Sequence, residues 1–267
     1  MDIVNLYEYD NYLTEQKYMY GNIYEYDIRQ ANINMLYSYG KISYETYRML
    51  SESEKEYRER TVGKMEAYYT DFYSTIHNGI IESKRKFIEQ NSINNENIIR
   101  ISNDAMFISA PYPVKYTEFN LNSSINHNIK FICKNHYNFY VKIFDVVLFM
   151  NFSDGDNVKV DIKGLGKKTY LHESIVSFLV EIFFINSRAS KDIVIRKYME
   201  FYNAYINLEL DISYYREFNE KSLFRLNTKN DSRIFKLHPI ISDGLDKKNI
   251  DIRYNFNVLR EVYSMII

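Results

Sequence analysis

The sequence predicts an α+β fold, an antiparallel sheet covered by helices with a helical C-terminal part. Three observations carry this. Residues 23–28 and 98–110 alternate or form short β-branched runs around a turn. Residues 54–90, and most of the chain from residue 172 onward, place apolar side chains near a 3.6-residue period. Between them, residues 115–163 are dense in β-branched and aromatic residues.

In chain order, "IYEYDI" (23–28) reads as a strand with Tyr24 and Tyr26 on one face and Glu25 and Asp27 on the other. "RQANINMLYSYGK" follows as a helical turn closed by Gly40, a residue suited to the left-handed C-terminal position. Ser43 opens "SYETYRML" as an N-cap. From Glu54 to Gln90 there is no proline, and the only glycines are Gly63 and Gly79. This stretch predicts one long helix, or a helical hairpin broken near Asn78-Gly79. "NSINNEN" (91–97) is a loop. A hairpin with the polar tip Ser102-Asn103-Asp104 and an "APYP" turn follow. Strands then run to residue 163, with "SDGDN" (153–157) as a turn. "LHESIVSFLVEIFFIN" and "SKDIVIRKYMEFYNAYINLEL", the latter with Ser190 as N-cap, return to helix. The tail is polar, then helical. Residues 1–170 are expected to form one α+β domain with a helical insertion at about 43–90, and residues 171–267 a mostly helical part.

Bulk composition excludes several classes. The net charge of -1 gives no global basic field, so a nucleic-acid surface would be a local patch. The single Cys133 excludes an internal disulfide and a cysteine zinc site, which fits a reducing, cytoplasmic setting. "MDIVNLYEYDNY" lacks the pattern of a signal peptide, and the apolar runs 175–185 and 146–150 are too short to span a bilayer. Tyr (27) and Phe (17) are abundant, as codon bias from an AT-rich genome would produce; a base-stacking surface would require them to cluster on one face.

Phosphate-loop, dinucleotide-binding, histidine-metal and serine-elbow signatures are all missing from the sequence. Two carboxylates at strand edges remain, Asp27 and Asp104. On adjacent strands they would lie close enough to require a cation between them. Mg²⁺, or Mn²⁺ in its place, suits hard oxygen ligands and substrate phosphates. Two such metals about 4 Å apart clamp both oxygens of a phosphoryl transfer. Turn chemistry accounts equally for Asn103-Asp104, and Asp27 could cap a helix.

"YEYDIRQANINML" resembles motif A of the palm of family B DNA polymerases, a metal-binding Asp that ends a strand and runs into a helix. "IRISNDAMFIS" resembles motif C, with Ser102 on the first Asp of the D-T-D hairpin and Asp104 on the second. The resemblance covers about residues 20–190, with the two motifs 77 residues apart. It implies a palm-like sheet, a fingers-like helical insertion and a thumb-like C-terminal part. It also implies a viral or mobile-element nucleotidyltransferase acting on primer/template nucleic acid and nucleoside triphosphates, in company with replication or phage proteins. Asp27 and Asp104 would hold two divalent metals, and Arg60 and Lys64 on a fingers-like helix would hold the triphosphate. Asn32 would stand where the family has a sugar-gating aromatic, and Lys142, Lys167 and Lys168 would contact the nucleic-acid backbone. Motif B is absent and Ser102 replaces a carboxylate. The alternative implied is therefore a catalytically inactive palm scaffold that binds nucleic acid or a protein partner.

Overall fold

The computed structural model describes residues 10–109, 114–122, 124–144, 146–154, 157–164, 170–171, 173–210, 216–217, 224–225, 231–236, 250–251 and 253–267. The chain divides into two compact units. Unit 1 comprises residues 1–15 and 22–136; unit 2 comprises residues 16–21 and 137–267. The change of unit at 136/137 falls earlier in the chain than the 170/171 boundary expected from the sequence. The α+β class holds. All strand pairings described below are antiparallel, and seven α-helices lie among the described residues.

In unit 1 the strands β1 (Asn11–Leu13), β2 (Tyr18–Ile28), β3 (Ile98–Ser102), β4 (Ala105–Ser109), β5 (Glu118–Asn120) and β6 (Asn128–Ile143) supply the sheet. Its order is β1-β3-β4-β2-β6, with β5 paired to β6. β2 and β6 are long and continue into unit 2. The alternation read in "IYEYDI" is realised. Tyr26 is buried against Phe87, and Ile28 shares its core with Met106 and Ile108.

Four helices fill this unit: α1 (Ala31–Ser38), α2 (Tyr44–Glu52), α3 (Lys55–Tyr68) and α4 (Phe72–Gln90). α1 ends as expected. Gly40 takes φ +68°, its N–H donates to Tyr37 O at 2.9 Å, and the Lys41 N–H donates to Leu36 O at 2.8 Å, the Schellman pattern. Ser43 Oγ accepts the Thr46 N–H at 3.2 Å and caps α2.

The expected break at Asn78-Gly79 does not occur, and α4 runs straight through it. Gly79 instead marks a close helix crossing. A Cβ there would stand 2.7 Å from Met35 Sδ on α1, so a larger residue would force the Met35 side chain to move. The chain breaks at Ser53-Glu54 and at Tyr69, where the backbone becomes extended.

Unit 2 orders the end of β6, then β7 (Val146–Asp154), β8 (Asn157–Gly164) and β12 (Asp231–Lys236). Short pairs join β9 (Tyr170–Leu171) to β11 (Phe224–Arg225) and β10 (Arg216–Glu217) to β13 (Ile250–Asp251). The C-terminal part is thus less purely helical than its periodicity suggested. Six residues of it extend the sheet, with Asp231 opposite Ile162 and Lys236 opposite Asn157. Helices α5 (Glu173–Asn186), α6 (Lys191–Ile206) and α7 (Arg253–Ile266) complete the unit. Ser190 precedes α6 as expected, without a side-chain capping bond. Inward residues of β6 to β8, such as Phe139, Val141, Leu148 and Val160, share a core with Val176, Leu179 and Phe183 of α5. Tyr198 Oη donates to Leu259 O at 2.7 Å and ties α6 to α7. No helix among the described residues is long and apolar enough to cross a membrane.

Phe87 is fully buried and packs its ring on Tyr26, Phe119 and Phe131, with centroids 5.2, 6.0 and 4.4 Å away. Phe87→Ala is expected to cost about 3–5 kcal/mol, read as a lowered urea midpoint by circular dichroism.

Candidate active site

The register of β2 on β4 places Asp27 opposite Ala105, one residue beyond the hairpin tip. The Ile28 N–H then donates to Asp104 O at 3.0 Å. Asp27 and Asp104, distant in sequence, are neighbours in this sheet. Burial, and then the negative charge of Asp27, push the Asp104 carboxyl above the usual range; Lys134 and Lys55 partly offset this. Lys134 Nζ lies 2.7 Å from Asp27 Oδ2. That hydrogen bond, with the charges of Asp27, Glu25 and Asp104, holds the Lys134 ammonium above its ordinary value. Glu25 is buried one alternation back from Asp27 and accepts from Asn135 Nδ2 at 2.6 Å.

The hairpin tip is held from beneath. Asn103 takes a left-handed φ of 47°, a conformation that Asn tolerates well. Its carbonyl accepts from Lys84 Nζ at 2.7 Å. Lys84 is fully buried, and burial brings its ammonium down to about 8 against the attraction of Asp10 and Asp104. The run Lys84-Arg85-Lys86 is therefore not the solvated face that a charge run suggests. Arg85 pairs with Glu82 and Glu89, and Lys86 Nζ donates to Asn120 O at 3.0 Å.

A cleft of about 290 Å³ opens over the carboxylates, and Lys134, Lys55 and Arg58 bring positive charge to its wall. The first turn of α1 (Ala31, Asn32, Ile33) also lines it. Gln30, the N-cap, adopts φ 49° and donates its side-chain amide to Ser51 O at 3.0 Å. No side chain caps α1, so the cleft carries the partial positive end of a helix.

Asp27, Asp104 and Asn32 thus come together. Arg60 and Lys64 do not join them; both are exposed, and the cleft-lining residues of α3 are Lys55, Arg58, Glu59 and Val62. The buried Val62 was the usable signal, because residues three, four and seven before it share its face. Lys142 belongs to unit 2, where its backbone N–H donates to Lys17 O at 2.7 Å. Lys167 and Lys168 lie outside the described residues. Lys134 carries no local signal, standing 107 residues from its partner Asp27. A separate buried carboxylate, Asp161 in unit 2, accepts from Tyr137 Oη and lies 3.8 Å from Lys159.

Among the described residues no group of three or more His, Cys, Asp or Glu converges as a metal cage. The two aspartates still suit Mg²⁺ or Mn²⁺, since Mg²⁺ commonly takes one or two carboxylates and completes its shell with water and substrate phosphate. Burial raises the Asp104 carboxyl most and the Asp27 charge adds to it; a bound cation would relieve the second of these.

The family model of the Bacteriophage PBS1 gene 130 protein matches residues 1–267. The chain belongs to this phage family. The viral origin expected from the sequence agrees with that membership. No curated protein matches the chain.

Two stability measurements check these electrostatics. The raised Asp104 carboxyl contributes stability below the unfolded value of 3.8, and this contribution is lost as pH rises through its folded value. Asp104→Asn escapes the loss, so its Tm should exceed that of the parent at pH 7, with the gap closing as pH falls toward 3.8. For Lys84 the folded value is depressed from 10.5 to about 8. Its contribution is present above 10.5 and lost as pH falls through 8, so the Tm of the parent minus that of Lys84→Met should grow as pH rises from 8 to 10.5.

Proposed function

We propose that the chain is a minimal nucleotidyltransferase of the DNA-polymerase type, working in the cytoplasm of the phage's host. The observation that carries this reading is the pairing of Asp27 with Asp104 beneath a cleft rich in cations. The palm-like order of the motifs supports it: a carboxylate ending a strand that enters a helix, beside a carboxylate on a hairpin tip. When bound by Asp27 and Asp104, Mg²⁺ or Mn²⁺ would lower the pKa of an attacking 3′-hydroxyl and neutralise departing pyrophosphate.

The residues of the chain do the rest. Lys55 and Arg58 hold triphosphate oxygens, together with the uncapped first turn of α1. Lys134 neutralises Asp27 and lines the cleft, where its ammonium would also meet substrate phosphate. Asp104 would hold a metal in its ionised form, so activity is expected to rise with pH through its elevated value. Asn32 sits in the cleft without the bulk of an aromatic gate, which predicts weak discrimination between deoxyribonucleotides and ribonucleotides.

One observation favours a second reading. The ammonium of Lys134 already sits on Asp27 at 2.7 Å, as it would in a chain that kept the carboxylates and gave up the metals. Such a scaffold would bind nucleic acid or a protein partner in the presence of EDTA and turn nothing over.

Incorporation of labelled nucleotides on a primed template with Mg²⁺ or Mn²⁺ separates the two. The enzyme reading expects Asp104→Ala and Asp27→Ala each to lose about 1,000-fold in rate, the several kcal/mol that a bound metal supplies. Lys55→Ala/Arg58→Ala should raise KM for the nucleotide about tenfold, as lost charge-assisted hydrogen bonds. Incorporation that survives Asp104→Ala would sink the enzyme reading.

A further inference from the structure

The outer face of α3 carries an arrangement that the cleft does not use. Tyr57, Arg60, Lys64 and Tyr68 recur at spacings of three and four and so stack along one side of the helix, opposite the side that supplies Lys55, Arg58 and Val62 to the cleft. Tyr57 is 45% exposed and Tyr68 83%, and Arg60 and Lys64 between them are exposed as well. Neither Arg60 nor Lys64 forms an ion pair among the described residues, whereas Lys55, on the cleft side of the helix, lies 3.6 Å from the exposed Glu59. Exposed Glu56 borders this face one turn before Arg60, and Asp71 in the following turn is paired with Lys41 at 2.5 Å. Beyond the end of α3, Tyr69 (56% exposed) stacks on Phe72 with centroids 4.7 Å apart, and Tyr73 (66% exposed) lies parallel to His77 at 6.0 Å.

Large aromatic side chains left in water on one face, interleaved with unpaired cations, are not demanded by the core. Gly63, beside Lys64, is not demanded either, since a Cβ there would meet nothing within 4 Å. Glycine in mid-helix is unfavourable relative to alanine and here serves no internal packing. It leaves bare backbone next to the cations. The abundance of tyrosine needs only codon bias; the placement of these four does not follow from it.

We infer that the outer face of α3 and its turn into α4 form a docking surface for single-stranded nucleic acid, with Tyr57 and Tyr68 stacking bases and Arg60 and Lys64 contacting the intervening phosphates. Charge decides the occupant. Exposed aromatics alone would suit a protein, but unpaired cations alternating with them match a polyanion whose bases are unstacked. Duplex fits poorly, because its bases present no free faces to tyrosine. The contacts are sequence-tolerant, since every base has a π-face. This surface is separate from the carboxylate cleft, needs no metal, and stands whether or not the chain is an enzyme.

Fluorescence anisotropy of the full chain with a labelled oligo(dT) of about 16 nucleotides, in EDTA, tests the inference. Saturable binding is expected, stronger than to a duplex of the same length. Tyr57→Ala and Tyr68→Ala should each weaken it about tenfold, while Tyr57→Phe and Tyr68→Phe retain it. Arg60→Gln/Lys64→Gln should reduce the slope of log K against log salt by about 1.4, or about 0.7 per phosphate contact. All these positions are exposed, so circular dichroism should be unchanged. Three results would overturn the inference: oligo(dT) binding that ignores both tyrosine truncations, binding lost in Asp27→Asn/Asp104→Asn but kept in the tyrosine variants, and a dimer that Tyr57→Ala/Tyr68→Ala converts to monomer. Absent nucleotide incorporation with intact oligo(dT) binding would reject the catalytic reading alone.

Discussion

Two carboxylates held side by side repel each other, and the local design of unit 1 can be understood as the management of that repulsion. The sheet register leaves no freedom: Asp27 faces Ala105, and Ile28 bonds back to Asp104. Charge balance is reached by three routes. Lys134 lays an ammonium on Asp27, Asp104 holds its proton more tightly than an ordinary aspartate, and Lys84 stands behind the turn that carries Asp104. The first two routes are reversible, whereas Lys84 is fully buried. A lysine with an exposed stem swings, a carboxyl titrates, and a divalent ion accomplishes both neutralisations at once. A buried ion pair with both partners fixed lacks that replaceability.

Local chemistry was the most legible part of the sequence. Alternation in "IYEYDI", the left-handed glycine after α1, the serine cap of α2 and the asparagine turn between β3 and β4 each rest on a few adjacent residues, and each appears where the sequence predicts it. The two aspartates were legible for the same reason, since their positions at strand ends are local facts. What sequence could not supply was partnership at a distance. Gly79 reads as a breaker until Met35 is placed against it. Lys84 carries no local sign of the hairpin turn whose carbonyl it holds. Lys134 reads as an ordinary strand lysine. The assignment of Arg60 and Lys64 to the triphosphate failed to use helical phase: Val62, the one buried residue of α3, marks the inward side, and both cations lie on the other.

The two faces of α3 suit different tasks. The inner side brings Lys55 and Arg58 to a cleft of limited volume. The outer side offers rings and cations at a pitch that suits a polymer. A helix of fourteen residues is long enough to present both without either interfering with the other.

α4 joins these elements in a further way. Its Gly79 presses on Met35 of α1, the helix that leaves Asp27, and its Lys84 holds the turn that carries Asp104. Five residues separate the two contacts, about 7.5 Å along a helix. The spacing of the carboxylates is therefore gauged by an element that contributes neither of them. α4 works as a strut between two mountings, and a residue added to or removed from its middle would shift one mounting against the other while leaving every side chain of the pair intact.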